Sequence, residues 1–281
     1  MKPCVILPKT PSHAYRDPCA IFQDGICHLF CTLVRQQNGA QVMGLVHSIS
    51  TDLIHFTEPE PILPLDPALN YSSPGNVLSA FGQYWLCFQT YPRPKGEIYG
   101  NADSRLFLMH STDLLSWSEP EIIPVMGDIP VSEMGRMIDP FLLALPDGSF
   151  LCLFKQNGVS ISRSTDLRHW TFLGSHPCGE NVCAFVIRPG LYGLLHSPKN
   201  GVGLLLTRDF ETFQDCGISM LDTDGALWAR DRVTAGFFLP REQLLFFHGD
   251  NEEDFVFGAS VALIRHANLS VLYPGLKEWD P

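Results

Sequence analysis

The chain has 281 residues, of which 45% are hydrophobic and only 17% charged, and it carries a formal net charge of −11. That balance argues against a nucleic-acid partner, because such binding rests on Lys and Arg neutralising phosphates. No stretch approaches the ~20 apolar residues of a membrane span, and the apolar run at 4–8 is too short for an export signal. The expectation is therefore a cytoplasmic protein with no membrane partner.

The first predicted element is a short apolar strand at 4–7, expected to pair into the last repeat and protect its edge. A hairpin follows, with strands at 18–23 and 26–33 around Asp24-Gly25, a dipeptide suited to the turns that match strand twist. A third strand at 45–50 runs into Ser50-Thr51-Asp52-Leu53-Ile54-His55-Phe56. That phrase returns as Ser111-Thr112-Asp113-Leu114-Leu115-Ser116-Trp117 and as Ser164-Thr165-Asp166-Leu167-Arg168-His169-Trp170. It is worn at 207–213 and faint at 265–270. Its Asp or Asn positions are spaced by 61, 53, 43 and 59 residues.

A unit of that size with strand-like flanks is a radial β-repeat. Five copies predict an all-β, five-bladed β-propeller forming one domain over 1–281. The second repeat covers about 72–124, with a turn at 79–82 and a strand at 84–90. The third has strands at 140–145, 149–155 and 159–164, with a turn at 146–148. The fourth covers about 180–221 and the fifth starts at 232. The longest insertion inside a blade, 91–105, is expected to shape a pocket rim. The repeated phrase reads as structural: its Asp accepts backbone N–H groups and its aromatic packs between blades. A catalytic residue has no reason to recur in every blade.

The nine cysteines lack a C-x-x-C pair and zinc spacing, and several sit in apolar strand patterns, so they read as buried, reduced thiols. No metal and no cofactor is expected. The sequence does not reveal the oligomeric state.

Function should lie where the copies disagree. Ser73, Asp139, Glu180 and Arg232 each stand 15 residues before Phe88, Phe154, Leu195 and Phe247, and Asp17 stands 13 before Phe30. All five are expected to begin innermost strands and face one axial cavity. Three of them are carboxylates. Converging acids repel one another, so at least one pKa should rise, which lets one group act as acid and another as base. Cleavage of a glycosidic bond needs that pairing. The structural alternative is that Asp17 and Asp139 merely open turns before proline.

Arg16-Asp17-Pro18, Ile138-Asp139-Pro140-Phe141 with its later Asp147-Gly148, and Gly179-Glu180-Asn181 resemble the catalytic signatures of five-bladed propeller glycosidases. Glycoside hydrolase family 43 is the nearest pattern, with the invertase-like family 32 behind it. The resemblance implies that Asp17 is the general base, that Asp139 orients substrate and raises the pKa of the acid, and that Glu180 is the general acid, with inversion at the anomeric carbon. A carbohydrate is the implied partner. Expected substrate contacts are Arg16, Ser73, Asn76, Arg136, His196, Trp228, Arg232 and His248. Each also has a plainer reading: the arginines could hold the carboxylates, the histidines could be structural, and Trp228 could pack between blades. Glu97 and Glu133 are the spare carboxylates. The alternatives to a hydrolase are a non-catalytic carbohydrate-binding propeller and a glycoside phosphorylase.

Overall fold

The computed structural model describes residues 2–37, 39–97, 99–251 and 259–279. Among them, antiparallel strands form five four-stranded sheets whose inner strands contact one another in a closed ring, a five-bladed β-propeller. From the axis outward, blade one is His13–Gln23, Ile26–Gln37, Ala40–Ser50 and Glu60–Pro61. Blades two, three and four follow the same order, beginning at Ser72–Ala80, Ile138–Ala144 and Glu180–Arg188. Blade five takes Arg232–Leu239, Leu244–Asp250 and Ala259–Arg265 from the end of the chain and its outermost strand, Cys4–Leu7, from the start. Among the described residues, helix is confined to one α-turn, Leu269–Leu272, and short 3-10 segments.

The repeated phrase is the corner between the third and fourth strands. Oδ1 of Asp52, Asp113, Asp166 and Asp209 accepts the N–H groups two and three residues on, at 2.8–2.9 Å. The preceding Ser or Thr hydroxyl accepts the N–H of Leu53, Leu114, Leu167 or Phe210 at 2.9 Å, and those residues sit in the left-handed region. Trp170 is buried, and Phe56, Trp117 and Phe213 pack half-buried against the core. The fifth copy is faint because Asn268 instead caps the helical turn, accepting the N–H of Ser270 at 2.9 Å.

Each inner strand is broken by a bulge near the axis. Pairing skips between Arg16 and Cys19, Ser72 and Asn76, Ile138 and Phe141, Glu180 and Cys183, and Thr234 and Phe237. In every skipped segment one non-glycine residue has positive φ: Asp17, Ser73, Asp139, Asn181 and Ala235, at 44–53°. The structural equivalents of Asp17, Ser73 and Asp139 are thus Asn181 and Ala235, not Glu180 and Arg232. Counting back from a strand anchor misplaced those two. Leu195 pairs with Cys183 and so matches Leu153 rather than Phe154, and the first hairpin of blade five is three residues shorter than that of blade three.

All nine cysteines are free; six are buried, Cys178 and Cys216 are half-buried and Cys4 is exposed. Burial pushes the Cys87 and Cys183 thiols up to about 12, which keeps them protonated packing groups.

The closing strand is short, and Ile6 and Leu7 carry its burial (8% and 4% exposed). Leu7→Ala is expected to lower unfolding free energy by about 2–5 kcal/mol in urea. Exposed Ile54→Ala should stay within about 0.5 kcal/mol. Equal effects would mean that the ring does not depend on this strand.

Candidate active site

A cavity of about 160 Å³ opens where the inner strands of all five blades meet, and Asp17, Asp139 and Glu180 all line it. Asp17 and Asp139 are bulge residues, so the left-handed backbone turns their side chains out of the strand alternation. Glu180 begins the inner strand of blade four and is exposed at the mouth. Asp17 Oδ2 accepts the hydroxyls of Thr32 at 3.0 Å and Ser73 at 3.2 Å, while Thr32 Oγ1 accepts the Ser73 N–H at 2.8 Å. Asp139 receives the Asn181 N–H on Oδ2 at 3.4 Å, and its own N–H is held by Gln89 Oε1.

Asp139 is 6% exposed. Burial pushes its carboxyl up to about 7, with the charges of Glu180 and Asp17 adding to the rise, against hydrogen bonds from Ser73 and Asn181. The Ser73 hydroxyl therefore stands between two acids. A hydroxyl has one proton and two acceptor sites, so a protonated Asp139 can donate to Ser73 while Ser73 donates to Asp17. The three carboxyls then carry fewer than three charges near neutral pH.

Beneath them lies a second polar layer. His248 is fully buried, and its Nδ1 accepts the Asp17 N–H at 3.0 Å. In the neutral ring that leaves the proton on Nε2, which faces Asp250 Oδ1 at 3.6 Å and lies 3.4 Å from Arg16 Nη2 without accepting from it. Burial drops the His248 pKa to about 4, reinforced by Arg16 and Arg232 and opposed by Asp250 and Asp17. Burial alone would raise Asp250, but Arg16, His248 and Arg232 together hold it below the ordinary carboxylate range. Arg232 donates Nε and Nη2 to Asp250 Oδ2 at 2.8 and 2.5 Å, and Arg16 Nη2 lies 3.8 Å from the same oxygen. Both arginines also line the cavity.

No protein-family model matches the sequence, and comparison with curated proteins finds no relative. Solved structures do match. A family 117 glycoside hydrolase of the marine bacterium Zobellia galactanivorans superposes with a TM-score of 0.69 at 16% identity, over 93% of this chain and 89% of that one. The GH43_1 enzyme of Xanthomonas citri, complexed with xylose, gives 0.65 at 13% identity, over 93% and 90%. A structure from the GH130 family of mannoside phosphorylases, which contains glycoside hydrolases acting on β-1,2 mannosidic linkages, gives 0.64 at 15%, over 94% and 92%. The likeness is one of fold.

Of the expected substrate contacts, Arg16, Ser73, Arg136 and Arg232 line the cavity and four others do not. Asn76 ties blade two to blade three: its amide donates to the Leu142 carbonyl and accepts the Leu142 N–H, both at 2.8 Å. His196 accepts the Gly179 N–H at 3.2 Å and packs on Gly203, propping the turn that leads to Glu180. Trp228 lies against Phe247 and over Gly249. His248 sits beneath the floor. The spare carboxylates Glu97 and Glu133 are outside the cavity lining. Sequence reading missed Thr32, Gln89, Tyr91, Tyr99, Asn181 and Asp250. Strand pairing alone would have found Asp250, since it lies opposite Arg232 in the blade-five hairpin.

Two outcomes follow from this geometry. Asn76→Ala strands a buried N–H and a buried carbonyl, each worth about 1–3 kcal/mol, so chemical denaturation should register a loss of about 2 kcal/mol or more. Asp139 binds its proton more tightly folded than unfolded. Its contribution to stability is therefore full below the ordinary value of 3.8 and is lost as pH rises through about 7. Asp139→Asn should melt above the wild type at pH 8, by a margin that shrinks towards pH 5. A pH-independent margin would show that Asp139 is not the group retaining the proton.

Proposed function

We propose that this chain is a glycoside hydrolase whose reaction is carried by Asp17, Asp139 and Glu180. The supporting observation is that three acids from blades one, three and four share a single cavity, with the most buried of them pushed to about 7 by burial and its two neighbours. A binding platform has no need to crowd acids in this way. Separated protonation states are what acid–base cleavage requires.

Asp17 is held in place by the hydroxyls of Thr32 and Ser73 and lines the cavity, a position that suits the base. It removes a proton from a water whose oxygen bonds to the anomeric carbon. Glu180, at the open mouth, gives its proton to the departing glycosidic oxygen as that C–O bond breaks. Asp17 ends protonated and Glu180 ionised, and exchange of one proton with solvent resets both. Asp139, the most buried of the three acids, holds the shared proton and so adds no second negative charge beside Glu180. With water attacking opposite the leaving group, the anomeric configuration inverts, a course that requires the two carboxyls to stand roughly 6.5–9.5 Å apart. Three arginines in the lining also suit a phosphorolytic variant, in which phosphate replaces water.

The test is a panel of aryl arabinosides, xylosides, galactosides and fructosides, assayed with and without inorganic phosphate. Glu180→Gln is expected to lose most activity on substrates with poor leaving groups and to retain more on activated aryl glycosides. Asp17→Asn should abolish turnover on both, typically by 10²–10⁴-fold for a lost acid–base group. Equal losses for Glu180→Gln on good and poor leaving groups would remove Glu180 from the acid role. Absence of turnover across the panel would leave the hydrolase reading unsupported.

A further inference from the structure

The arginines around this cavity are not equivalent. Arg232 is clamped on Asp250, and Arg16 faces the same buried carboxylate. Arg105, buried at the base of the insertion, donates to the carbonyls of Ala102, Ser104, Val131 and Gly135 at 2.7–3.0 Å and serves the fold. Arg136 differs from all three. It is half-buried and lines the cavity. Its Nε donates to the Gly100 carbonyl at 2.9 Å, its Nη2 reaches the Tyr91 hydroxyl at 3.4 Å, and its guanidinium carbon lies 5.6 Å from the Tyr91 ring centroid. These partners are neutral, and among the described residues no carboxylate pairs with it.

A guanidinium held by a carbonyl and an aromatic ring, with no carboxylate paired to it, is preorganised for a planar or tetrahedral oxyanion. Tyr99, 65% exposed, borders the same cavity and offers a ring face to a sugar. We infer that Arg136 is the recognition point for a negatively charged substituent, so that the sugar held in this cavity carries a carboxylate, sulfate or phosphate ester. This rests on the carbohydrate-cleaving reading of the same site. A free phosphate acting as nucleophile would instead approach beside Asp17. The groups around Asp17 are Thr32, Ser73, His248 and its neighbour Arg16, whereas Arg136 is anchored on the blade-two insertion through Tyr91 and Gly100.

The experiment compares glucuronate, galacturonate and galactose 6-sulfate with their neutral parent sugars by isothermal titration calorimetry. It uses wild type, Arg136→Met and Arg136→Lys, with inorganic phosphate as a separate ligand. The wild type is expected to bind at least one acidic sugar about 10-fold or more tighter than its parent. That preference should fall by about 10–100-fold in Arg136→Met, as for loss of charge-assisted hydrogen bonds. Arg136→Lys should recover part of it, since the charge returns without the fork. Equal binding of acidic and neutral sugars by wild type overturns the inference, whether or not the variants fold. So does a preference that survives in a folded Arg136→Met. Arg136-dependent binding of phosphate without any acidic-sugar preference also overturns it, in favour of phosphorolysis. Parallel turnover of aryl uronides and neutral aryl glycosides separates the two readings. Turnover with no acidic preference sinks this inference alone, and acidic-sugar binding without turnover sinks the hydrolase alone.

Discussion

Five inner strands converging on one axis cannot all continue their ladders to the centre. The chain resolves this with a bulge in each blade, one residue in the left-handed region followed by unpaired backbone, and the rest of the site depends on that break. A left-handed conformation costs roughly 1–2 kcal/mol for a residue with a Cβ, and Asp and Asn tolerate it best. Three of the five bulge residues are Asp17, Asp139 and Asn181. The break also demands close approach between blades. A Cβ on Gly75 would fall 1.6 Å from the Pro140 carbonyl oxygen, so blade two can meet blade three only with glycine there. Strain, acidity and proximity are therefore introduced by one backbone device.

The device brings acids together, and the layer beneath makes their company tolerable. Buried Asp250 and His248 form a set with the partly exposed Arg16 and Arg232, in which one carboxylate faces two guanidiniums and a neutral imidazole. Because His248 must accept the Asp17 N–H, its tautomer is set by the backbone of the very residue whose side chain faces the cavity. Asp250 Oδ1 lacks a hydrogen bond despite its burial, the kind of imperfection that functional sites retain. The electrostatics of the cavity are thus those of two stacked layers, acidic above and mixed below.

The ring was legible in the sequence because its corners repeat. Asp52, Asp113, Asp166 and Asp209 make the same two backbone bonds, and identical chemistry leaves identical letters. Counting back from the second strand placed Asp17, Ser73 and Asp139, and a proline follows each at the same point of the bulge. The other two could not be placed in this way, because Asn181-Val182 and Ala235-Gly236 keep the geometry without the letters. Asn76 and His196 looked like site residues because polar side chains near an axis suggest substrate, yet their partners are the backbone of Leu142 and Gly179. Thr32, Gln89 and Asp250 were invisible for the opposite reason. They act from second strands, and only the register of each hairpin carries them to the centre.

The outermost strand of blade five has a consequence for how the molecule comes into being. Cys4, Val5 and Leu7 pair with Leu263, Ala262 and Val261, so a strand made before blade one meets the third strand of blade five. Blades one to four can each form from contiguous sequence as synthesis proceeds, but blade five is a three-stranded sheet with a bare edge until Cys4–Leu7 joins it. Contacts of such sequence separation make for slow assembly. During that wait the unpaired edge and the loose strand are each able to pair with the wrong chain. A latch of four residues thereby governs how long the nascent ring stands open, and the safest passage is one in which Cys4–Leu7 finds its own blade before it finds a neighbour's.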